Sequence, residues 1–378
     1  MAAPLVVIFH QPPRPGDPPL TTLLAHARGL LVAHQERLFA RAGGRVTILP
    51  GRDPSSGNAE SFGERLARLV AEERLAPDDG LVVLGAGAVP HLSLADARAL
   101  IAAAASGTTT ALTNNRYSSD VCAIGRAAAL RDLPPLPSDN ALPRWLEERA
   151  GHAVHELPGR DRLAIDLDTP LDLALLARIP GTPAALVRLA RDEGLAIPRL
   201  EELRALAGDP RRELLVFGRS GSRTLAWLER HVRCRVRFLA EERGLRASSE
   251  LAIAPAPAAG GATPATGATS RPAAAPRPPR STLGRLVALR GPAALPDIVA
   301  ELADGAILDT RVLMADRLGA DENAWPSAED RFAADLLRPA AIADPWLREL
   351  TAALAASSIP ILPGAHTIVG PGIRRLLG

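Results

Sequence analysis

The chain has 378 residues, of which 47% are hydrophobic and 23% are charged, and its formal net charge is +2. This length is sufficient for two domains with cores of their own, and the apolar content excludes an intrinsically disordered protein. Because the net charge is near zero, we expect no bulk binding to nucleic acid. The sequence contains no lysine, which excludes a lysine Schiff base and a lysine phosphate clamp.

The cysteines and the apolar runs predict the cellular compartment. Cys122 and Cys234 lie far apart and match no metal-binding spacing, and their apolar neighbours predict buried, inert thiols. No apolar run approaches the length that spans a bilayer. Residues 1–9 lack the basic start of a signal peptide. We therefore expect a cytoplasmic protein that does not enter a membrane.

The first half of the sequence alternates predicted strands and helices. Apolar, β-branched runs predict the strands, and apolar residues at helical spacing predict the helices. The predicted strands are residues 5–9, 45–49, 81–84, 109–113, 121–124 and 162–167, and the predicted helices are residues 20–42, 61–73, 94–105 and 141–150. This alternation predicts an α/β domain over residues 1–178, with a mostly parallel sheet and helices on both faces.

The sequence DLDTPLDL at residues 166–173 holds the strongest candidate site. At the end of a strand over residues 162–167, Asp166 and Asp168 would share one face. Paired carboxylates in that position suit a hard cation such as Mg²⁺, so we predict Asp166 and Asp168 as metal ligands. The alternative is that Asp168 and Asp172 stabilise the N-terminus of the following helix, where negative charge is favoured.

Three segments are predicted to meet at one edge of the first sheet. Ligands of open α/β sheets bind outside the carboxyl ends of the strands. Residues 10–19, 85–90 and 166–168 each follow a predicted strand and therefore fall at that edge. This convergence supports a functional role for Asp166 and Asp168.

Five segments of the first half together resemble a known family. They are HQERLF at residues 34–39, an Ala-Gly turn at 42–43, VLGAGAVP at 83–90, GTTTAL at 107–112 and DLDTPLDL at 166–173. Their order resembles that of the nucleotidyltransferases of the glycosyltransferase-A type, especially the 2-phospholactate guanylyltransferases and the molybdenum-cofactor guanylyl- and cytidylyltransferases. The resemblance covers residues 3–176, and its last segment is the most specific. It implies a nucleoside triphosphate substrate, Mg²⁺, and transfer of a nucleoside monophosphate to a small phosphorylated or carboxylated acceptor.

Two departures from the family bear on catalysis. The family's glycine-rich phosphate loop holds the triphosphate with backbone N–H groups, whereas residues 11–19 read QPPRPGDPP, and proline has no N–H. Ala88 stands where the family has a metal-binding Asp. The chain therefore resembles a divergent member. The alternative is a catalytically degenerate nucleotide- or metabolite-binding protein of the same fold, and a sugar-nucleotide glycosyltransferase is a weaker third option.

Side chains for nucleotide binding are predicted in two places. An arginine in the proline-rich loop can clamp a phosphate with two hydrogen bonds. The polar run at residues 113–120, next to the family-like GTTTAL segment, offers amide donors and acceptors for a base or a sugar. The alternatives are a solvated arginine and a loop of local turns. The predicted nucleotide-binding residues are Arg14, Thr110, Asn114, Asn115 and Arg116.

The second half predicts a further α/β domain over residues 179–378. Its predicted strands are residues 213–217, 235–239, 283–289, 305–308 and 359–362. The Ala/Pro-rich residues 254–280 cannot bury enough apolar surface to fold and predict a flexible insertion in this domain. The turn GRSGS at residues 218–222 precedes a predicted helix, so it is either an anion site or a simple connection. The sequence leaves the nucleobase, the acceptor and the oligomeric state open.

Overall fold

The computed structural model describes residues 3–51, 60–73, 75–76, 78–136, 139–159, 161–242 and 279–378. In these residues the chain forms two mainly parallel sheets surrounded by helices. The predicted α/β class is therefore confirmed. Residues 254–278 of the predicted insertion lie outside the described residues.

The first sheet has six strands. They are β1 (Leu5–His10), β2 (Arg45–Pro50), β3 (Leu81–Gly85), β4 (Thr110–Thr113), β5 (Val121–Ile124) and β6 (Ala153–Glu156). Their order is β2-β1-β3-β5-β4-β6. Only β5 runs antiparallel to its neighbours among these strands. The sheet is mostly parallel, as predicted, although β6 was not expected because its sequence AVHE is short, polar and mostly exposed.

Helices cover both faces of the first sheet, as predicted. They are α1 (Pro19–Arg41), α2 (Phe62–Glu72), α3 (Leu94–Ala104) and α4 (Leu142–Glu148). The next helix, α5 (Pro170–Leu176), packs instead in the apolar cluster around the second sheet. Alternate residues of β1 point to opposite faces: Val6 and Ile8 pack with α1 and α3, and Leu5 and Val7 pack with α2 and α4.

The second sheet has four parallel strands in the order β10-β9-β7-β8. The strands are β7 (Glu213–Gly218), β8 (Arg235–Ala240), β9 (Gly305–Asp309) and β10 (Ile361–Gly364). The helices of this half are α6 (Ala184–Asp192), α7 (Leu200–Ala207), α8 (Ser222–His231), α9 (Thr282–Arg290), α10 (Leu295–Ala300), α11 (Thr310–Leu318), α12 (Ala328–Asp335), α13 (Pro345–Ala356), α14 (His366–Val369) and α15 (Ile373–Leu377).

One predicted strand of the second half is a helix. Residues 283–289 lie in α9, which Ser281 caps by accepting a hydrogen bond from the Gly284 N–H. Leu283 and Val287 are buried four residues apart, on one side of this helix. A short apolar run does not distinguish a buried strand from a buried helix, which explains the wrong prediction.

The two halves share packing and charge contacts. The apolar cluster around the second sheet also includes Leu24 and Leu31 of α1 and Leu171 of α5. The Glu329 carboxylate of α12 accepts hydrogen bonds from the backbone N–H groups of Leu20 and Thr21, at 3.0 and 2.9 Å. The second half therefore caps the helix that follows β1, while the domain boundary at residue 178 remains a prediction.

Two further predictions from the sequence concern the cysteines and membrane-spanning helices. Cys122 and Cys234 are both free thiols and both buried, and burial raises the pKa of Cys122 to about 12, in agreement with an inert thiol. Among the helices in the described part of the chain, none has the length and apolarity to cross a membrane.

Candidate functional site

A cavity opens at the carboxyl edge of the first sheet. β1 pairs with β2 on one side and with β3 on the other, so the chain reverses its direction of winding between β1 and β3. Ligands of open α/β sheets bind at such a reversal. The cavity, of about 190 Å³, lies on the α2–α4 face of the sheet. Its walls include Phe9, Phe62, Gly85, Asp120 and Asp139.

Asp166 and Asp168 reach this edge without being on a strand. Residues 161–164 form a turn and residues 165–168 belong to no strand, so the predicted strand over residues 162–167 is wrong. The Leu167 N–H donates instead to the Gly87 carbonyl at 2.8 Å. A side chain at Gly87 would meet the Leu167 oxygen at 2.7 Å, so the glycine permits this approach. Leu163 packs with the loop after β3, whereas Ile165 and Leu167 pack in the apolar cluster around the second sheet.

The two predicted metal ligands have different partners. The Asp166 carboxylate accepts a hydrogen bond from the Val89 N–H at 3.2 Å. Asp168 forms an ion pair with Arg28 of α1, with 2.9 Å between Nη2 and Oδ1. Asp168 therefore does not cap α5, because its carboxylate is directed to Arg28.

Asp172, by contrast, has the capping role of the alternative interpretation. Its carboxylate accepts from the Thr169 N–H and Oγ1 at 2.8 and 2.9 Å, and Thr169 Oγ1 accepts from the Asp172 N–H. This is a complete capping box at the start of α5. Burial raises the pKa of Asp172 to about 7, and the nearby Asp168 acts in the same direction.

Asp120 is a member of the site that the sequence did not single out. It precedes β5, and because β5 is antiparallel, its amino end lies at the carboxyl edge of β3. Burial raises the pKa of Asp120 to about 7, and Asp139 and Asp168 add to the rise. Burial and the charges of Asp120 and Asp168 likewise raise the pKa of Asp166. The two carboxyl groups therefore titrate as interacting groups.

The polar loop that carries Asp120 is built around Asn114. Its amide donates to Asp120 Oδ2 at 2.6 Å and to the Leu163 carbonyl at 3.0 Å, and its oxygen accepts from the Asp120 N–H at 2.9 Å. Asn114, predicted as a nucleotide-binding residue, is only 1% exposed. Its amide thus orients Asp120 and ties the loop to the segment before Asp166.

Of the other predicted nucleotide-binding residues, Arg14, Asn115 and Arg116 follow strands at the carboxyl edge of the sheet, and Thr110 does not. Thr110 begins β4 and so lies at the opposite, amino edge of the sheet. The Asn115 side chain accepts from the Tyr117 N–H in a local turn, as the alternative interpretation proposed. Arg116 pairs with Glu147 and lies over the Tyr117 ring. Arg14 donates its backbone N–H to Asp17 within the proline-rich loop, after β1.

The carboxyl edge of the second sheet is differently built. Arg219 and Asp309 pair across the ends of β7 and β9, with 2.6 Å between Nε and Oδ2. Arg311 and Asp335 form a second pair with two contacts of 2.7 Å, and both are buried. Burial opposes the ionised form of Asp309, but the Arg219 charge outweighs it and holds the pKa of Asp309 below its usual value. The GRSGS turn thus contributes an internal ion pair.

A larger groove, of about 610 Å³, is lined by apolar residues of α5, α6 and α7 and by the ion-paired Arg178 and Arg199 beside these helices. It contains none of the predicted site residues. We therefore place the candidate site at the smaller cavity, beside the carboxylates.

Among the described residues, no three His, Cys, Asp or Glu side chains already form an arrangement that could hold a metal ion. No protein-family model matches the chain, and a search of curated proteins finds no match.

Proposed function

We propose that this chain is nucleotidyltransferase-like in fold and function. In this proposal it binds a nucleoside triphosphate with Mg²⁺ at the carboxyl edge of the first sheet and transfers the nucleoside monophosphate to a small phosphorylated or carboxylated acceptor. The observation that carries the proposal is the position of Asp120, Asp166 and Asp168 at the winding reversal of the sheet. Asp120 lines the cavity there, and Asp166 accepts a hydrogen bond from the Val89 N–H in the loop after β3.

The acidic residues have the chemistry that a magnesium nucleotide requires. Mg²⁺ is commonly bound by one or two carboxylates together with substrate phosphates. Asp166 and Asp168 would supply the carboxylates, and Asp120 adds a third beside Asp166, where Ala88 offers none. When bound, Mg²⁺ would neutralise phosphate charge. The raised pKa values of Asp120 and Asp166 support this fit, because a bound cation would offset the repulsion between the neighbouring carboxylates.

In this proposal, side chains rather than backbone N–H groups bind the phosphates. The proline-rich loop offers few N–H donors, and Glu329 already accepts from the first N–H groups of α1. A helix N-terminus in that position would otherwise favour phosphate. Arg28 lies beside Asp168 with about a third of its side chain exposed. We assign Arg28 the role of stabilising negative charge on the transferred phosphoryl group.

A second candidate is a degenerate protein of the same fold that binds a nucleotide or metabolite without turnover. The Glu329 contact and the Arg28–Asp168 ion pair favour it, because each already satisfies a group that the reaction would use. Both candidates predict binding, and only the first predicts product.

The test measures binding and turnover in the same protein. Each nucleoside triphosphate is added with and without Mg²⁺, and the melting temperature is recorded, because a ligand at about 100 times its Kd stabilises by about 2.7 kcal/mol. Asp168→Asn should abolish the Mg²⁺-dependent shift, whereas the exposed Asp192→Asn should not. If Asp168→Asn binds magnesium nucleotide as well as the wild type does, the proposed site is wrong. Pyrophosphate release with acceptor present then separates the enzyme from the degenerate binder.

A further inference from the structure

We infer that the peptide between Ala88 and Val89 turns over when a divalent cation binds beside Asp166, and that the Ala88 carbonyl oxygen then becomes a ligand of the cation. This inference deepens the proposed function by adding a backbone ligand and a conformational step to its metal site. It rests on that proposal only in placing a cation beside Asp166, and it requires neither nucleotide nor turnover.

The two polar groups of this peptide are held from opposite sides. The Ala88 carbonyl accepts from Nε2 of Gln35 at 2.6 Å, and the Val89 N–H donates to Oδ1 of Asp166 at 3.2 Å. The carbonyl and the N–H of one trans peptide point in opposite directions. A half-turn of the peptide therefore exchanges them, so that the Ala88 oxygen faces Asp166 and the Val89 N–H faces Gln35.

Val89 has a backbone conformation that this half-turn relieves. Its φ is 41°, in the left-handed region, where a β-branched residue is a genuine outlier. Of the four non-glycine residues with positive φ in the described part of the chain, only Val89 is β-branched and only Val89 precedes a proline. A half-turn takes φ to about −140°, close to the value of about −120° that a residue before proline favours.

Gln35 can serve either orientation of the peptide. It lies on α1 and is 1% exposed, and within the described residues its Oε1 has no hydrogen-bond partner. An amide side chain offers donors on its nitrogen and an acceptor on its oxygen. After rotation of the amide, Oε1 can accept from the turned Val89 N–H, and Oε1 gives up no other hydrogen bond in doing so.

The neighbouring peptides are held by separate contacts. The Gly87 carbonyl accepts from the Leu167 N–H at 2.8 Å, and the Val89 carbonyl accepts from the Leu92 N–H at 2.9 Å. Neither bond uses the Ala88 carbonyl or the Val89 N–H. The turn of one peptide therefore leaves the rest of the loop after β3 in place.

A cation decides which orientation is favoured. A carbonyl oxygen directed at the Asp166 carboxylate would set two acceptors against each other, so the N–H orientation is preferred until a cation lies between them. Carboxylate and carbonyl oxygens together suit hard cations such as Mg²⁺ and Mn²⁺. Because the Ala88 side chain has no ligand atom, a ligand from this position must come from the backbone.

Selective labelling follows this peptide in the full chain. The pair Ala-Val occurs only at residues 88–89 and 153–154. Protein with ¹³C in the alanine carbonyls and ¹⁵N in valine therefore gives two carbonyl–nitrogen correlation peaks in NMR. Mg²⁺ without nucleotide should move the Ala88–Val89 peak, whereas the Ala153–Val154 peak, from β6, should stay in place. An Ala88–Val89 peak that does not respond to Mg²⁺ overturns the inference.

Two variants distinguish a turned peptide from a peptide that merely lies near the cation. Val89→Ala and Val89→Gly both remove the buried side chain, but only glycine adopts positive φ without strain. Val89→Gly therefore loses the relief that the turn provides. It should bind Mn²⁺, measured by electron paramagnetic resonance, about tenfold more weakly than Val89→Ala, a difference of about 1.4 kcal/mol. Equal affinities of the two variants overturn the inference.

The outcome is distinguishable from that of the nucleotide test. Cation binding with equal affinities of the two Val89 variants removes the turning peptide and leaves the metal site of the proposed function. A moved Ala88–Val89 peak with weaker binding by Val89→Gly, but without a nucleotide-dependent shift in melting temperature, supports the turning peptide and contradicts the proposed function.

Discussion

The two sheets of this protein are wound alike, yet their carboxyl edges differ in charge pairing. In each, the chain winds first to one side of a central strand and then to the other, giving β2-β1-β3 and β8-β7-β9. At the second edge, Asp309 and Asp335 each have an arginine partner. At the first edge, Asp120 and Asp166 face each other and further carboxylates, and their pKa values are raised.

The difference supports the proposal that the first edge binds a ligand, whereas the second edge is held by internal ion pairs. Buried charges that are paired and hydrogen-bonded belong to the internal structure of a protein. Carboxylates held close together without a cation are at an energetic disadvantage that a bound cation or donor would relieve. Clusters with perturbed pKa values in a cleft are candidates for function on this ground. The four predictions below test this contrast.

The largest effect is expected when the buried pair of the second sheet is broken. Asp335→Ala leaves Arg311 buried and without its partner, which should lower the free energy of unfolding by about 3–5 kcal/mol. Urea denaturation measures this value. The double variant Arg311→Met with Asp335→Leu should lose much less, because no charge remains buried. A loss below about 1 kcal/mol for Asp335→Ala would mean that the pair is not a structural element.

A smaller loss of unfolding free energy is expected when the contact between the two halves of the chain is removed. Glu329→Ala removes three charge-assisted hydrogen bonds from the start of α1, two from backbone N–H groups and one from the Thr21 hydroxyl. It should cost about 1–2 kcal/mol of unfolding free energy. Glu349 is exposed on α13, so Glu349→Ala should stay within about 0.5 kcal/mol and serves as control. An equal effect of the two variants would show that α1 does not depend on the second half for its cap.

The acids of the first edge should make stability depend on pH. Between the usual pKa of 3.8 and about 7 for Asp120, the folded protein holds a proton that the unfolded chain has released. Stability is therefore greatest below this range and falls as the pH rises through it. Asp120→Asn should reduce this fall in stability. At pH 8 the free energy of unfolding of the variant should exceed that of the wild type by on the order of 1 kcal/mol, a value discounted for the partial exposure of Asp120.

Thermal unfolding from pH 4 to pH 8 tests this prediction. Asp172 has its pKa raised to about 7 as well, so a residual slope should persist in the variant. If Asp120→Asn has the same pH profile as the wild type, the pKa of Asp120 is not raised in the folded protein.

The smallest effect is expected for the ion pair of the first edge. Arg28 and Asp168 keep 32% and 44% of their side chains exposed, and pairs of this kind contribute at most about 1 kcal/mol. Arg28→Gln should therefore change the free energy of unfolding by less than that. A cost close to that of Asp335→Ala would show that both edges are structural junctions, which would remove the contrast.

Local patterns in the sequence predicted much of the fold. The apolar runs predicted β1 and β3, and the Thr-Pro start of α5 predicted its cap, because strand burial and helix capping depend on residues close together in the chain. The same local logic failed at residues 162–167. Whether an extended segment becomes a strand depends on a partner strand, and here the loop at Gly87 takes that place.

The sequence predicted only part of the site, because local patterns do not reveal contacts between residues far apart in the chain. Asp166 and Asp168 were found because they are two residues apart in one motif. Asp120 lies 46 residues before Asp166 in the sequence, and it joins the motif because β5 runs antiparallel between β3 and β4. No spacing rule in a single sequence reveals such a reversal. Its neighbour Asn114 was noticed as a polar residue, but its role in holding Asp120 follows from contacts across the loop.

The sequence by itself determined the α/β class, the order of most helices and strands, and the acidic motif, because each depends on periodicity or on neighbours within a few positions. Tertiary structure alone decided that Asp120 faces Asp166, that Glu329 caps α1 from the other half of the chain, and that the acids of the second edge are neutralised by Arg219 and Arg311. These contacts join residues far apart in the chain, and their energies depend on burial and on the sign of the nearest charge, which only the folded arrangement fixes.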